Sequence, residues 1–442
     1  MSMKDYFHEL ADFVQSLAGA GEVIASGFAA ETSDFVRFNR SAVRQATSVR
    51  QVRWTLTLIR DGRRVDATAT LAGTTAADRE QLKAMLSELR AGIADAPADP
   101  YLLLPEKPAN TEREAVGEIP ECARVIDAVA EAGRGLDLVG LYAGGPILEG
   151  FANSLGQRNW QRVDNFNFEW CLYHDRDKAV KTSYSGPRWD GGAFEARMRF
   201  AREQLALLGR PARSLEPGRY RAYLSPAAME DVIGMLCWGG FGLKSQRTKH
   251  SPLMRLAEGT AALDARVSLA ENTAGGLAAG FQRDGVVRPA RVELIRAGRP
   301  GDCLASPRSA REYGVATNGA NAEEVPESLE LSPGELAQAD ALKALDRGIY
   351  VGNLWYLNFS DRSACRMTGM TRFASFWVED GEIRAPLNVM RFDDTAYRIL
   401  GSELEALTRE RDLLLQGGTY GARNTASMRL PGALVRDFTL VL

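Results

Sequence analysis

From residue 348 to residue 392 the chain reads GIYVGNLWYLNFSDRSACRMTGMTRFASFWVEDGEIRAPLNVMRF. Its runs of Ile, Tyr, Val, Trp and Phe are strand formers, broken by glycines and polar turn residues. Asp380-Gly381 is a hairpin signal, because the favoured two-residue turn needs φ > 0 at both central positions. A stretch of this kind excludes a helical bundle. With further strand-like pieces at 265–270, 290–296 and 433–442 it predicts a β-rich, barrel- or sandwich-like second domain with one or two helices. One of those helices begins at Ser225-Pro226, an N-cap followed by a first-turn proline, and Met229, Val232, Ile233 and Leu236 form its apolar stripe. Strands are expected at 348–358, 371–378 and 383–392.

The preceding half has a different rhythm. Tyr6, Phe7, Leu10, Phe13, Val14 and Leu17 recur at helical spacing and predict a helix over 3–18. Residues 52–58 alternate apolar with polar and turn at Asp61-Gly62 into 65–71, ahead of a helix at 76–93. Pro97, Pro100, Pro105 and Pro108 mark an extended connection. Next come a helix near 119–132, a strand pair from 136 to about 151, and a strand carrying Phe166, Phe168 and Trp170. His174-Asp175-Arg176-Asp177 reads as a hairpin tip returning through 179–184, and a charged helix at about 192–208 stops at Gly209. Helices on one face of an antiparallel sheet make this an α+β domain over 1–210. The Pro-, Gly- and Arg-rich run at 209–218 separates it from the β-rich domain at 215–442.

With 442 residues, two domains are the expectation. A net charge of −3 supplies no global attraction to nucleic acid, so no nucleic-acid partner is expected. No apolar run approaches the roughly 18 residues that span a bilayer, and the N-terminus carries charged residues where an export signal has an apolar core, so no membrane partner is expected. Five scattered cysteines (Cys122, Cys171, Cys237, Cys303, Cys365) with no C-x-x-C pair read as free thiols of a reducing cytoplasm.

Several motifs together resemble the TldD/PmbA (TldE) family, whose members form a bacterial two-subunit peptidase. Gly348-Ile349-Tyr350-Val351, Thr368-Gly369, and Gly381-Glu382 with Pro386 fall where that family has G-I-Y-V, T-G and G-E-x-x-x-P. Asn153-Ser154-x-Gly156, Pro217-Gly218-Arg219-Tyr220 and Leu224-Ser225-Pro226-x-Ala228 match its N-S-x-G, its P-G-x-Y strand and the start of its helix. Ser268-Leu269 with Asn272, Gly285-Val286 and Thr317-x-Gly319 resemble its mid-domain connections. The resemblance implies the same two-part α+β fold.

In the catalytic subunit type, TldD, that helix carries H-E-x-x-x-H and a cysteine nearer the C-terminus completes the zinc ligands. Zinc hydrolysis needs neutral imidazole or thiolate donors converging on one ion with a position left for water. Here the resemblance puts Met229 and Gly234 at the histidine positions and Tyr420 at the cysteine position, with only Glu230 kept. It therefore implies a TldE/PmbA-type chain with no catalytic residue and no bound cofactor, zinc being expected only in a TldD-type partner. The expected function is that of a non-catalytic subunit of a peptidase acting on unfolded or small peptides. The alternative is a stand-alone homodimeric peptide-binding scaffold. A peptide groove is expected around Asn353, Leu354 and Thr368, where an open strand edge would bind extended backbone.

Other constellations have plainer readings. The three histidines lie at position 8 on the polar side of a helix, at 174 on a hairpin tip and at 250 in a loop, none at ligand spacing. Gly239-Gly240-Phe241-Gly242-Leu243-Lys244-Ser245 lacks the glycine before lysine that a phosphate loop requires. His174, Asp175 and Asp177 read as solvated turn residues, and Asp393-Asp394 as neighbours pointing to opposite faces of a strand. Trp355 and Tyr356 are expected to divide between the core and the outside for the same reason.

Overall fold

A computed structural model describes residues 1–105, 107–175 and 178–441. The first part is a seven-stranded sheet in which β1 (Val23–Asn39), β2 (Ala42–Arg60), β3 (Arg63–Thr70), β5 (Asp137–Asn153), β6 (Arg158–Asp175) and β7 (Lys178–Gly186) pair antiparallel. The short β4 (Thr111–Ala115) adds in parallel to β6. Residues 136–151 are one strand and not the expected pair. Gly145, at φ +136, carries the chain straight past β1, where a Cβ would stand 2.1 Å from the carbonyl oxygen of Thr32.

Side-chain alternation divides this sheet into two unlike faces. Even-numbered residues such as Phe28, Trp54, Tyr142, Phe168 and Trp170 are buried in clusters with the helices α1 (Met3–Ser16), α2 (Thr75–Gly92), α3 (Cys122–Ala132) and α4 (Gly191–Leu208). All four helices therefore cover one face, as the sequence indicated. Odd-numbered residues turn to the other face, and many are polar yet buried, among them Glu31, Ser33, Gln161 and Asn165. A polar face can be buried only if something polar or hollow lies over it.

The second part lies over it. Strands β8 (Gly218–Leu224), β13 (Gly348–Asp361), β14 (Arg366–Glu379), β16 (Arg391–Thr395) and β18 (Ser427–Leu440) pair in sequence, and β18 pairs back to β8, closing a five-stranded ring. Helix α5 (Pro226–Cys237) packs on this barrel through Met229, Val232, Ile233 and Leu236. Ser225 caps it, accepting a hydrogen bond from the backbone N–H of Ala228. Strands β9 (Leu269–Glu271), β10 (Val292–Arg296), β11 (Arg299–Pro300) and β12 (Ser328–Leu331) extend the sheet beyond β18, while β15 (Glu382–Pro386) and β17 (Leu404–Leu415) flank β14 and β18. Among the described residues, four further short α-helices of 4 to 7 residues decorate the connections. The Asp380-Gly381 turn takes φ +54 and +70, as its hairpin requires.

Two further local expectations fail. The strand at 383–392 is two, β15 and β16, which pair with successive stretches of the same strand β14 and are separated by residues 387–390, where the regular ladder is interrupted. Trp355 and Tyr356 are both exposed, at 42% and 78%. Tyr356 takes φ +57 where the β13–β14 register shifts, and such a bulge cancels the alternation of faces.

Candidate functional site

A cavity of 740 Å³ lies between the polar face of the first sheet and the second part. Ala29 and Glu31 of β1, Ile147 and Glu149 of β5, and Glu230 and Gly234 of α5 all reach it, and residues 422–428 close one side. This volume is in the usual range for ligand-binding cavities.

Arg423 fixes the closing loop. Its guanidinium is buried and donates to the carbonyl oxygens of Gly145 (3.1 Å) and Asn165 (2.8 Å), to the Asn165 side-chain oxygen and to Ser33 Oγ (3.2 Å). Burial lowers its pKa to about 10, while nearby Glu31 favours the charged form. Glu31 in turn accepts from Ser33 Oγ (2.8 Å) and from Gln51.

Two other carboxylates differ from this network. Glu149 and Glu230 are half-buried on the cavity wall, and neither carboxylate makes a hydrogen bond among the described residues. Burial raises Glu149 to about 7, helped by Glu327 and opposed by Arg288. Burial raises Glu230 to about 8, with Asp231 and Glu169 adding and Lys181 opposing. Glu230 also borders a smaller cavity of 110 Å³ shared with Glu169, Lys181 and Asn353.

The sequence placed three residues at the family's ligand positions, and they do not converge. Neighbours on a helix point about 100° apart. Glu230 and Gly234, four residues apart, therefore face the cavity, whereas the Met229 side chain is fully buried in the barrel core. An added Cβ at Gly234 would meet nothing within 4 Å. Tyr420 is fully solvent-exposed. The one thiol on the cavity wall, Cys237, is pushed up to about 12 by burial, which disfavours the thiolate a metal needs. Among the described residues no group of three His, Cys, Asp or Glu is arranged to hold a metal ion. The residues present do not fit a zinc site of the family's kind.

The three residues named for a peptide groove lie apart in setting. Asn353 borders the smaller cavity, with its amide 3.2 Å from the carbonyl of Lys181. The Leu354 side chain is buried in the barrel core, and its N–H donates to Asp231 (3.0 Å). Thr368 is held between β14 and β16, donating to the Phe392 carbonyl (2.9 Å). Helix α5 covers the β13 edge at Leu354, so the expected open edge is closed at that point.

His8 is half-buried against Trp160 and not on the polar side of α1. His174 and His250 are exposed, and Asp177 lies outside the described residues. Asp393 pairs with Arg366, while buried Asp394 accepts from Arg398 (3.0 Å) and Thr439 (2.8 Å), so the two acids do point apart. All five cysteines are free. Among the described residues no helix is long and apolar enough to cross a membrane. Sequence reasoning missed Glu149 and Arg423. Glu149 had a signal, a lone carboxylate inside the apolar, glycine-rich run GGPILEGF, whereas nothing local distinguishes Arg423.

A family model described as the PmbA/TldA metallopeptidase C-terminal domain matches residues 217–441, about half of the chain. Among solved structures, TldE from Thermococcus kodakarensis superposes with a TM-score of 0.80 at 13% identity, covering 99% of this chain and 100% of the other. A protein labelled a candidate modulator of a DNA gyrase from Thermotoga maritima gives 0.76 at 14%, covering 100% of both chains. A protein from Bacteroides thetaiotaomicron with a similar label gives 0.73 at 13%, covering 99% and 98%. No curated protein shows significant sequence similarity to the chain. Those likenesses share the fold, and the match over the barrel, α5 and the closing loop establishes that the chain belongs to the PmbA/TldD metallopeptidase family.

Proposed function

We propose that this chain is the non-catalytic, TldE/PmbA-type subunit of a two-subunit metallopeptidase that acts on unfolded or small peptides, with zinc supplied by a TldD-type partner. One observation carries the reading: the face that α5 turns to the cavity offers a carboxylate, a bare glycine and a protonated thiol, and no imidazole. A glutamate can activate water only if a metal or another acid polarises the substrate beside it. The fold likeness to a TldE supports the same assignment. The free thiols fit a cytoplasmic setting.

Co-expression with a TldD-type relative that carries H-E-x-x-x-H tests this. The expected result is co-elution on size exclusion, zinc in the complex, and cleavage of an unstructured peptide at least about tenfold above either chain alone, equivalent to about 1.4 kcal/mol. A chain that self-associates, ignores the relative and leaves its activity unchanged would favour the homodimeric scaffold instead.

A further inference from the structure

Strand β2 carries a long edge that the chain leaves open. It pairs with β1 from Ala42 to Ile59, but β3 reaches only to Arg53, and the N–H of Leu71 takes the Val52 carbonyl (2.9 Å). A residue in an antiparallel strand directs its N–H and C=O to the same neighbour, so Ala46, Ser48 and Arg50, in step with Val52, turn theirs away from β1. None of these backbone groups is hydrogen-bonded among the described residues. Residues 42–48 and 50 are exposed, and residues 42–51 span about 30 Å. Proteins usually blunt such an edge with proline, a bulge or a covering loop. Residues 42–51 hold no proline, and the register irregularity is confined to the end beside Phe38. The adjoining edge of β3 is engaged at both ends, by Asp99 N–H on the Gly62 carbonyl (2.8 Å) and by Gln81 on the Thr70 carbonyl (3.4 Å). A second cavity, of 320 Å³, lies on one face of the open stretch against Gln45, Thr47 and Val49, and shares Glu31, Gln51 and Ala422 with the large one.

We infer that a strand of the TldD-type subunit pairs with β2 along residues 42–51, bringing acidic side chains to Arg44 and Arg50. The sheet then runs on into the partner, and its polar face gains a wall beside both cavities that this chain does not supply. Charge selects this occupant. Arg60 and Arg64, further along, are paired with Glu22 and Asp284, whereas Arg44 and Arg50 on the open stretch and Arg37 beside it have no ion-pair partner among the described residues. No acid lies in 42–51, and Asp34 on β1 already accepts from Ser48. A second copy of this chain would bring two more arginines to the seam, and like charges facing across strands repel. The assignment rests on the partner-subunit reading and adds to it the surface on which the partner docks.

Two full-length variants test it. Ala46→Pro gives up an N–H that bonds to nothing, so the fold should tolerate it, while the proline ring bars a further strand. Arg44→Glu combined with Arg50→Glu leaves the backbone alone and reverses the charge of the edge. Each is titrated calorimetrically with a purified TldD-type relative that carries H-E-x-x-x-H, and its thermal unfolding is followed alone. Both variants are expected to bind the relative at least tenfold more weakly than the natural chain while unfolding at the same temperature. If the proline unfolds the chain, the charge-reversed variant decides the matter by itself. Binding at full strength by either folded variant overturns the docking site and leaves the partner-subunit reading standing. A natural chain that does not bind the relative at all overturns both, as does one that forms a homodimer which Ala46→Pro dissociates.

Discussion

Replacing Arg423 with alanine is expected to lower stability by about 3–5 kcal/mol, the usual cost of removing one member of a buried polar network. The loss removes the guanidinium that donates to the carbonyls of Gly145 and Asn165 and deprives Glu31 of a nearby cation. The loop at 416–426 has few other anchors on the first sheet, one being the Gly421 carbonyl, which accepts from Gln51 (2.7 Å) and Arg53 (2.6 Å). Arg423→Lys keeps the charge but not the planar fork, so it should recover only part of the loss. Urea unfolding of the three proteins checks this; a midpoint unchanged in Arg423→Ala would mean that the loop does not depend on its arginine.

The second large effect is expected at Phe376. Its ring is fully buried in a cluster that joins Phe168, Trp170 and Phe194 of the first part to Tyr350, Val378 and Leu434 of the barrel. Truncation to alanine opens a cavity at the seam and should cost about 3–5 kcal/mol. Because the cluster belongs to both parts, the variant should unfold in a single transition shifted as a whole. Calorimetry resolving two transitions, with only one moved, would show that the seam does not couple them.

Much of this architecture was legible because its causes are local. The alternation in 52–58, the Asp-Gly turns and the Ser-Pro cap of α5 each act within a few residues, and each stands where the sequence put it. The family motifs added the ligand positions on α5. What was not legible depends on neighbours distant in the chain. The bulge at Tyr356 arises from register against β14, and the turn at Arg40-Ser41, with φ +50 and +59, contains no glycine, the residue that such φ values favour. Nothing near Leu354 announces that α5 covers its edge. The partnered state of Glu31 and the unpartnered state of Glu149, two apparently similar carboxylates on adjacent strands, are decided by Ser33, Gln51 and the loop 370 residues further on.

The central claim is that the wall facing the cavity lacks the donors for zinc. Its most direct test is to purify the chain alone without chelator, measure its zinc by mass spectrometry, and repeat thermal unfolding with added zinc. A site that binds zinc should add about 2.7 kcal/mol at a hundredfold excess over its Kd. The account predicts no stoichiometric zinc and no such gain. One ion per chain, stabilising the fold and lost in Glu230→Gln, would contradict it.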